Sequence, residues 1–359
     1  MTAPDTPGPA TGWPWAEHFD AAMPYFGTAT AGLPPRETSE AMTAVLDQWR
    51  TGRIDGPGFD PAVTRARESY ARLVGVDAGA VAIGHQVSPL VGLIASSVPD
   101  GAEVLVPEGE FTSVTFPFAA HEARGVRIVE APLSNLAEHV TERTAIVAVA
   151  AVQSADGAVV DLDAIEASAR AHGVDVLVDL TQAAGWLEVD ASRFAYTVCG
   201  TYKWLLSPRG TAFLTVRPDR WETLVPEHAN WYAGESPWES IYGLPLRLAR
   251  DARRFDVSPG WFSWVGTAAS LDFLERVGVA ELQQHARAVE AAFAHAAGLP
   301  PGTSAIRSLE ADDAVAGLMA EAGAVASVRA GRLRLSFHVN NTIQEAEQLG
   351  RLLAGHVAD

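Results

Sequence analysis

From about residue 81 to residue 217, short apolar runs alternate with longer amphipathic stretches. That alternation is what a mostly parallel sheet with helices on both faces requires. The apolar runs, bounded by Gly, Pro or charged residues, predict strands over Val81–Gly84, Glu103–Pro107, Arg127–Ala131, Ala145–Val152, Val174–Asp179, Tyr196–Cys199 and Ala212–Val216. Stretches of helical spacing predict helices near Pro89–Ser97, Ser113–Ala123 and Leu162–His172, the last with Asp161 or Asp163 placed to cap its start. After Arg220 the pattern changes to an aromatic-rich connector, from Trp231-Tyr232 to Trp264. Two helical stretches follow, near Gly266–Val277 and Val279–Ala297, then a strand at Arg332–Phe337 and a helix over Thr342–Leu353. Thr342 and Glu345 make a capping-box pattern at the start of that last helix.

With 359 residues and 48% hydrophobic composition, the chain can bury a large core and a smaller one. The expectation is an α/β fold with a seven-stranded, mostly parallel sheet in a large domain over 36–250. An N-terminal tail and substrate-site segment over 1–35 precedes it, and a smaller α+β domain over 251–359 follows. Met1–Thr11 is rich in Pro, Ala, Thr and Gly without a basic or apolar region, and reads as a loose tail rather than a signal peptide. No apolar run approaches the roughly 20 residues that span a bilayer. A cytoplasmic location is therefore expected.

A net charge of -18 repels phosphodiester backbones and anionic lipid, so nucleic acid and membrane are excluded as expected partners and a small molecule is favoured. The single cysteine, Cys199, makes neither a disulfide nor a zinc module within the chain, and no metal is expected.

The basic residues change the picture most. Lysine occurs once, at position 203, and every other basic side chain is arginine. A guanidinium stays protonated and cannot attack an aldehyde, so arginine replaces lysine on a solvated surface but not where a neutral amine is needed. The strand ending at Asp179 puts a carboxylate, and Gln182 three residues on, at the carboxyl edge of the sheet, where open α/β sheets bind ligands. The next strand runs through Gly200 to Lys203 at the same edge. A pyridine aldehyde cofactor needs such a set: a carboxylate at the ring nitrogen (Asp179), a donor near the ring hydroxyl (Gln182) and a lysine to hold the aldehyde as an imine (Lys203). Taken alone, Asp179 reads equally well as a helix cap.

Asp179-Leu-Thr-Gln182, followed by Tyr202-Lys203-Trp204-Leu-Leu-Ser-Pro-Arg209-Gly210, resembles the class V aminotransferase family of fold type I pyridoxal 5'-phosphate (PLP) enzymes. That family includes cysteine desulfurases, kynureninases, isopenicillin N epimerase-like proteins and carbon-sulfur lyases. The resemblance runs from Tyr25–Pro34, similar to the family's substrate segment, to Arg334–Thr342. It implies PLP as cofactor and further roles at matching positions. Val87 and Ser88, just before a helix expected to start at Pro89, fall where the phosphate is cradled, although Gln86-Val87-Ser88 departs from the usual Gly-Thr-Thr-like triplet. Tyr202 matches a second phosphate contact and Phe111 the residue stacked on the ring. Arg334 matches the arginine that holds the substrate carboxylate, and Thr30 lies in the substrate segment. Ser258 and Trp261 match a connector that enters the neighbouring subunit's site, so a homodimer with shared sites is implied. The lysine loop is most similar to the lyase and epimerase branches. The expected function is therefore a carbon-sulfur β-elimination on an amino acid, with transamination and epimerisation as alternatives and a non-catalytic PLP-binding regulator as the other class.

Overall fold

The structure, a computed structural model, describes residues 13–359; the Met1–Thr11 tail lies outside them. The seven apolar runs become strands β1 (Val81–Gly84), β2 (Glu103–Pro107), β3 (Arg127–Ala131), β4 (Thr144–Ala150), β5 (Asp175–Asp179), β6 (Tyr196–Gly200) and β7 (Ala212–Val216). They form one sheet in the order β1-β7-β6-β5-β4-β2-β3. β7 alone runs against its neighbours β1 and β6, and the other pairs are parallel. Because side chains alternate between faces of a strand, each run feeds two cores. In β1, Val81 and Ile83 join the core on one face, with Val147, Val178 and Phe213. Ala82 joins the other, with Ile146, Leu177 and Leu214.

Helices α1 (Arg36–Arg50), α2 (Asp60–Leu73), α3 (Val87–Ser97), α4 (Thr112–Ala119) and α5 (Leu162–His172) accompany this sheet. Asp161, not Asp163, caps α5, accepting from the Ala164 amide at 2.9 Å. Two of these helices have a boundary that differs from expectation by two residues or more, and two were not expected at all. α3 begins at Val87, two residues before Pro89, so Val87 and Ser88 are its first turn rather than the loop before it. α4 stops at Ala119 instead of Ala123; Pro117 inside it removes a ladder donor. α1 and α2 were not legible in the hydrophobic pattern, because α1 buries only Thr38 and Val45, and the buried face of α2 includes Arg67, Ser69 and two alanines.

The rest of the chain forms α6 (Trp261–Val277), α7 (Val279–Ala297), β8 (Ile306–Ala311), α8 (Val315–Glu321), β9 (Ser327–Arg329), β10 (Arg332–Ser336), α9 (Ile343–Leu353) and β11 (Val357–Ala358). α6 starts five residues earlier than Gly266, so the end of the aromatic connector is helical. The Thr342–Glu345 capping box is present. The strand expected at Arg332–Phe337 is a central member of an antiparallel sheet, β11-β8-β10-β9, whose other strands are short or carry charges. The N-terminal segment is stitched to this second sheet. The Phe26 amide donates to Val325 O (2.8 Å), the Ser336 amide to Phe26 O (2.9 Å), and the Phe26 ring lies in the small core with Leu335 and Phe337.

Candidate active site

Six strands of like direction end on one edge of the large sheet, and residues that leave five of them build a cleft enclosing about 640 Å³ of space open to solvent. β1 delivers Val87 and Ser88, the segment after β2 delivers Phe111, and that after β4 delivers Ser154. β5 delivers Asp179 and Gln182, and β6 delivers Tyr202 and Lys203. Seven of the expected site residues therefore line one cleft.

Lys203 is held in a tight loop. The Leu206 amide donates to Lys203 O (3.1 Å) and the Ser207 amide to Thr201 O (3.2 Å), with Leu206 at a positive φ of 56°. On the far side Gly32 donates to Tyr202 O at 2.8 Å, and a Cβ on Gly32 would stand 2.0 Å from Lys203 O. Only glycine lets the N-terminal segment approach the lysine loop this closely. The Lys203 side chain is buried, its Nζ 5.6 Å from the Phe111 ring centroid and 5.7 Å from that of Tyr202. Among the described residues it forms no ion pair within 4 Å. Burial pushes its pKa down to about 8, against the opposing pull of Asp179.

Asp179 ends β5 as a buried carboxylate. Its Oδ1 accepts from the Thr181 amide at 2.8 Å, as in a cap, but burial still pushes its pKa up, with Lys203 acting in the opposite direction. Beneath it lies Cys199, 1% exposed, whose thiol burial and the Asp179 charge hold far above the usual range.

Gln182 is fully engaged: Nε2 donates to Ala29 O (3.0 Å) and Ser154 Oγ (3.0 Å), and Oε1 accepts from Trp204 Nε1 (2.7 Å). It brackets the N-terminal segment against the lysine loop. Arg334, which sequence alone would place on the surface, is 1% exposed. Its guanidinium donates to Thr30 Oγ1 (2.8 Å), to Ser154 Oγ (3.2 Å) and to Ser154 O, and among the described residues no carboxylate pairs with it. Burial pushes its pKa down to about 10. Thr30 itself lines an adjoining cleft that shares Tyr202 and Arg209 with the first. Ser154 was missed by sequence reasoning. The edge rule that selected Asp179 after β5 selects it after β4.

The structure does not bring Ser258 or Trp261 into the cleft of their own chain. Trp261 opens α6 and lies face to face on Phe59, with centroids 5.0 Å apart. The segment nonetheless passes close by, since a Cβ on Gly260 would be 4.0 Å from His85 Nδ1. The buried pair Arg67–Asp256 (2.6 Å) fastens it, because Asp256 Oδ1 also accepts from the Ile83 amide of β1.

Residues 62–311 match the family model for class-V aminotransferases. The chain belongs to the class-V aminotransferase family. It is 33% identical to isopenicillin N epimerase of Streptomyces clavuligerus over 307 residues, 75% of each chain. It is 29% identical to the uncharacterized aminotransferase YcbU of Bacillus subtilis over 327 residues, 84% of this chain and 86% of that one. Among solved structures, the cystine C-S lyase C-DES in complex with cysteine persulfide superposes with a TM-score of 0.83 at 21% identity, covering 94% of this chain and 98% of that one. That likeness fixes the fold as fold type I.

Class-V aminotransferases of this kind are PLP-dependent enzymes, and the cleft fits the cofactor. A buried amine and a buried carboxylate line the cleft, a buried guanidinium lies behind it on Ser154, and none of the three is matched by an ion pair among the described residues. Those three groups complement an aldehyde, a ring nitrogen and a substrate carboxylate. Replacing Arg334 with glutamine is expected to raise the KM for an amino-acid substrate roughly 10- to 100-fold, the worth of a charge-assisted hydrogen-bond pair. Cofactor absorbance should be unchanged. Steady-state kinetics beside a PLP titration separates the two effects.

Proposed function

We propose that the enzyme is a carbon-sulfur lyase that eliminates the β-substituent of a cysteine-derived amino acid. The observation that carries this reading is that Lys203 is the one amine of the cleft and neither ring beside it serves as a second base. Phe111, 5.6 Å away, has no exchangeable proton, and the phenol of Tyr202, whose ring is 5.7 Å away, is kept protonated by burial and is assigned to the phosphate. Lys203 is then the base beside the reacting carbon. Inversion at that carbon needs a proton removed from one face and returned on the other, and a single amine serves elimination better. The buried thiol of Cys199 is also unsuited to receiving sulfur, so the leaving group departs to solvent.

Bound PLP supplies an electron sink that weakens the bonds at the substrate α-carbon. Arg334 and Thr30 would hold the substrate carboxylate and Asp179 would pair with the ring nitrogen, while Gln182 with Ser154 keeps these side chains in register. Phe111 would lie against the ring, while Val87, Ser88 and Tyr202 would hold the phosphate. Lys203 Nζ takes the α-proton; the electron pair left behind forms the Cα=Cβ bond as the Cβ–S bond breaks and a thiolate leaves. Water then completes the conversion to pyruvate and ammonia. Transamination uses the same lysine and differs in where the proton is returned, so it is the second reading.

Incubating the protein and PLP with cysteine, cystine and S-alkyl cysteines tests the reading. Pyruvate and ammonia released in equal amounts support it. Keto-acid exchange without pyruvate would assign transamination instead, and inversion without either would assign epimerisation.

The active unit in this reading is a homodimer in which Ser258 and Trp261 complete the partner's site. Mixing an inactive Lys203→Ala chain with a chain altered at both Ser258 and Trp261 is expected to restore up to about one quarter of native activity, because random pairing leaves one wholly native site in half of the dimers. A mixed dimer that stays inactive removes the sharing.

A further inference from the structure

We propose that Arg209 is a phosphate anchor of the cofactor site, a cation that makes up for donors missing at the start of α3. The inference rests on the assignment of PLP to this cleft. β1 and β7 are antiparallel, with Gly84 opposite Ala212. Residues leaving β1 toward α3 and residues entering β7 from the lysine loop are therefore neighbours on the sheet edge. His85 Nδ1 lies 3.4 Å from Gly210 O, and Arg209 lines the cleft together with Val87 and Ser88. Gly210, at a φ of 109°, makes the turn that presents Arg209.

The first turn of α3 is a weak anion cradle by itself. A helix start binds phosphate through free amides and its dipole. Here Pro89 has no amide, Val87 has no polar side chain, and Gln86 makes no side-chain cap bond. That leaves the amides of Gln86, Val87 and Ser88 and the Ser88 hydroxyl, all uncharged, to meet a dianion. The phenol of Tyr202 adds one donor. Among the described residues Arg209 has no carboxylate within 4 Å and donates no side-chain hydrogen bond. Its guanidinium carbon sits 4.9 Å from the Tyr202 ring centroid. Stacking on that ring holds the planar fork in place, and the fork matches two phosphate oxygens. In the same cleft Lys203 is engaged with the aldehyde end. Arg209 is thus the arginine placed to balance the phosphate charge.

The test uses Arg209→Gln, which removes the charge from an exposed side chain without adding a second amine. Apo-protein is titrated with PLP and, separately, with pyridoxal, which lacks the phosphate, following tryptophan fluorescence. Arg209→Gln is expected to weaken PLP binding at least about tenfold while changing pyridoxal binding less than about twofold. Inorganic phosphate, a competitor of PLP in the unaltered protein, should compete correspondingly less. PLP affinity that stays unchanged overturns the proposal. So does an equal loss for both ligands, which would mean that Arg209 acts only by packing Tyr202. An unaltered protein that binds no PLP would instead overturn the cofactor assignment itself.

Discussion

Lys203→Ala is expected to reduce turnover by about 10⁴-fold or more and to abolish the covalent attachment of PLP, with the fold intact. The loss combines the attachment point and the base in one residue, and general acid-base catalysis alone contributes up to about 10⁴-fold. No other lysine exists to take over either task. Borohydride reduction followed by peptide mapping reads the attachment: the unaltered protein should carry the adduct on the peptide containing Lys203, and an adduct absent from that peptide would refute the assignment. A pH series adds a second reading. Because burial lowers the Lys203 pKa to about 8, the amine is charged and unreactive below that value and neutral above it. The rate at which apo-protein captures PLP should therefore rise with pH and flatten above about 8. An unperturbed lysine would keep rising towards about 10.4.

Asp179→Asn is expected to lower kcat by about 10²- to 10³-fold while PLP affinity changes only a few-fold. The substitution keeps the shape and the acceptor for the Thr181 amide, so the cap survives and only the charge is lost. That charge is what keeps a ring nitrogen protonated, and charges preorganised against a reacting group are commonly worth this much. Phosphate contacts at the other end of the cleft still anchor the cofactor. A variant with near-normal kcat would show that Asp179 serves only as a cap.

Six of the seven strands were legible as apolar runs buried on both faces, and the edge strand β3 as the shorter run Ile128-Val129 between exposed Arg127 and Glu130. The site was legible because three chemically unusual positions fall at the ends of two of the strands. Lys203 stood out as the sole lysine, and Asp179 and Gln182 by their spacing. Arg334 was different. It sits in β10 between apolar residues, and only the return of the N-terminal segment across the second sheet buries it against Thr30 and Ser154. Contacts between residues some 300 positions apart leave no trace in local periodicity. α1 and α2 were missed for a related reason: their buried faces carry Thr38, Arg67 and Ser69, whose hiding depends on partners such as Ser270 and Asp256 far along the chain. The resemblance places Trp261 at the neighbouring subunit's substrate wall; within its own chain it stacks on Phe59.

PLP is itself a reactive aldehyde, and any exposed lysine on a protein that handles it is an off-target site for adduct formation. In this chain the only side-chain amine lies inside the cleft, 6% exposed, and the outer surface carries guanidinium groups instead. The stoichiometry of side-chain modification is therefore set by architecture: at most one lysine adduct per chain, with the α-amine as the competing amine. Once the α-amine is blocked, absorbance of the attached cofactor becomes a direct count of occupied sites.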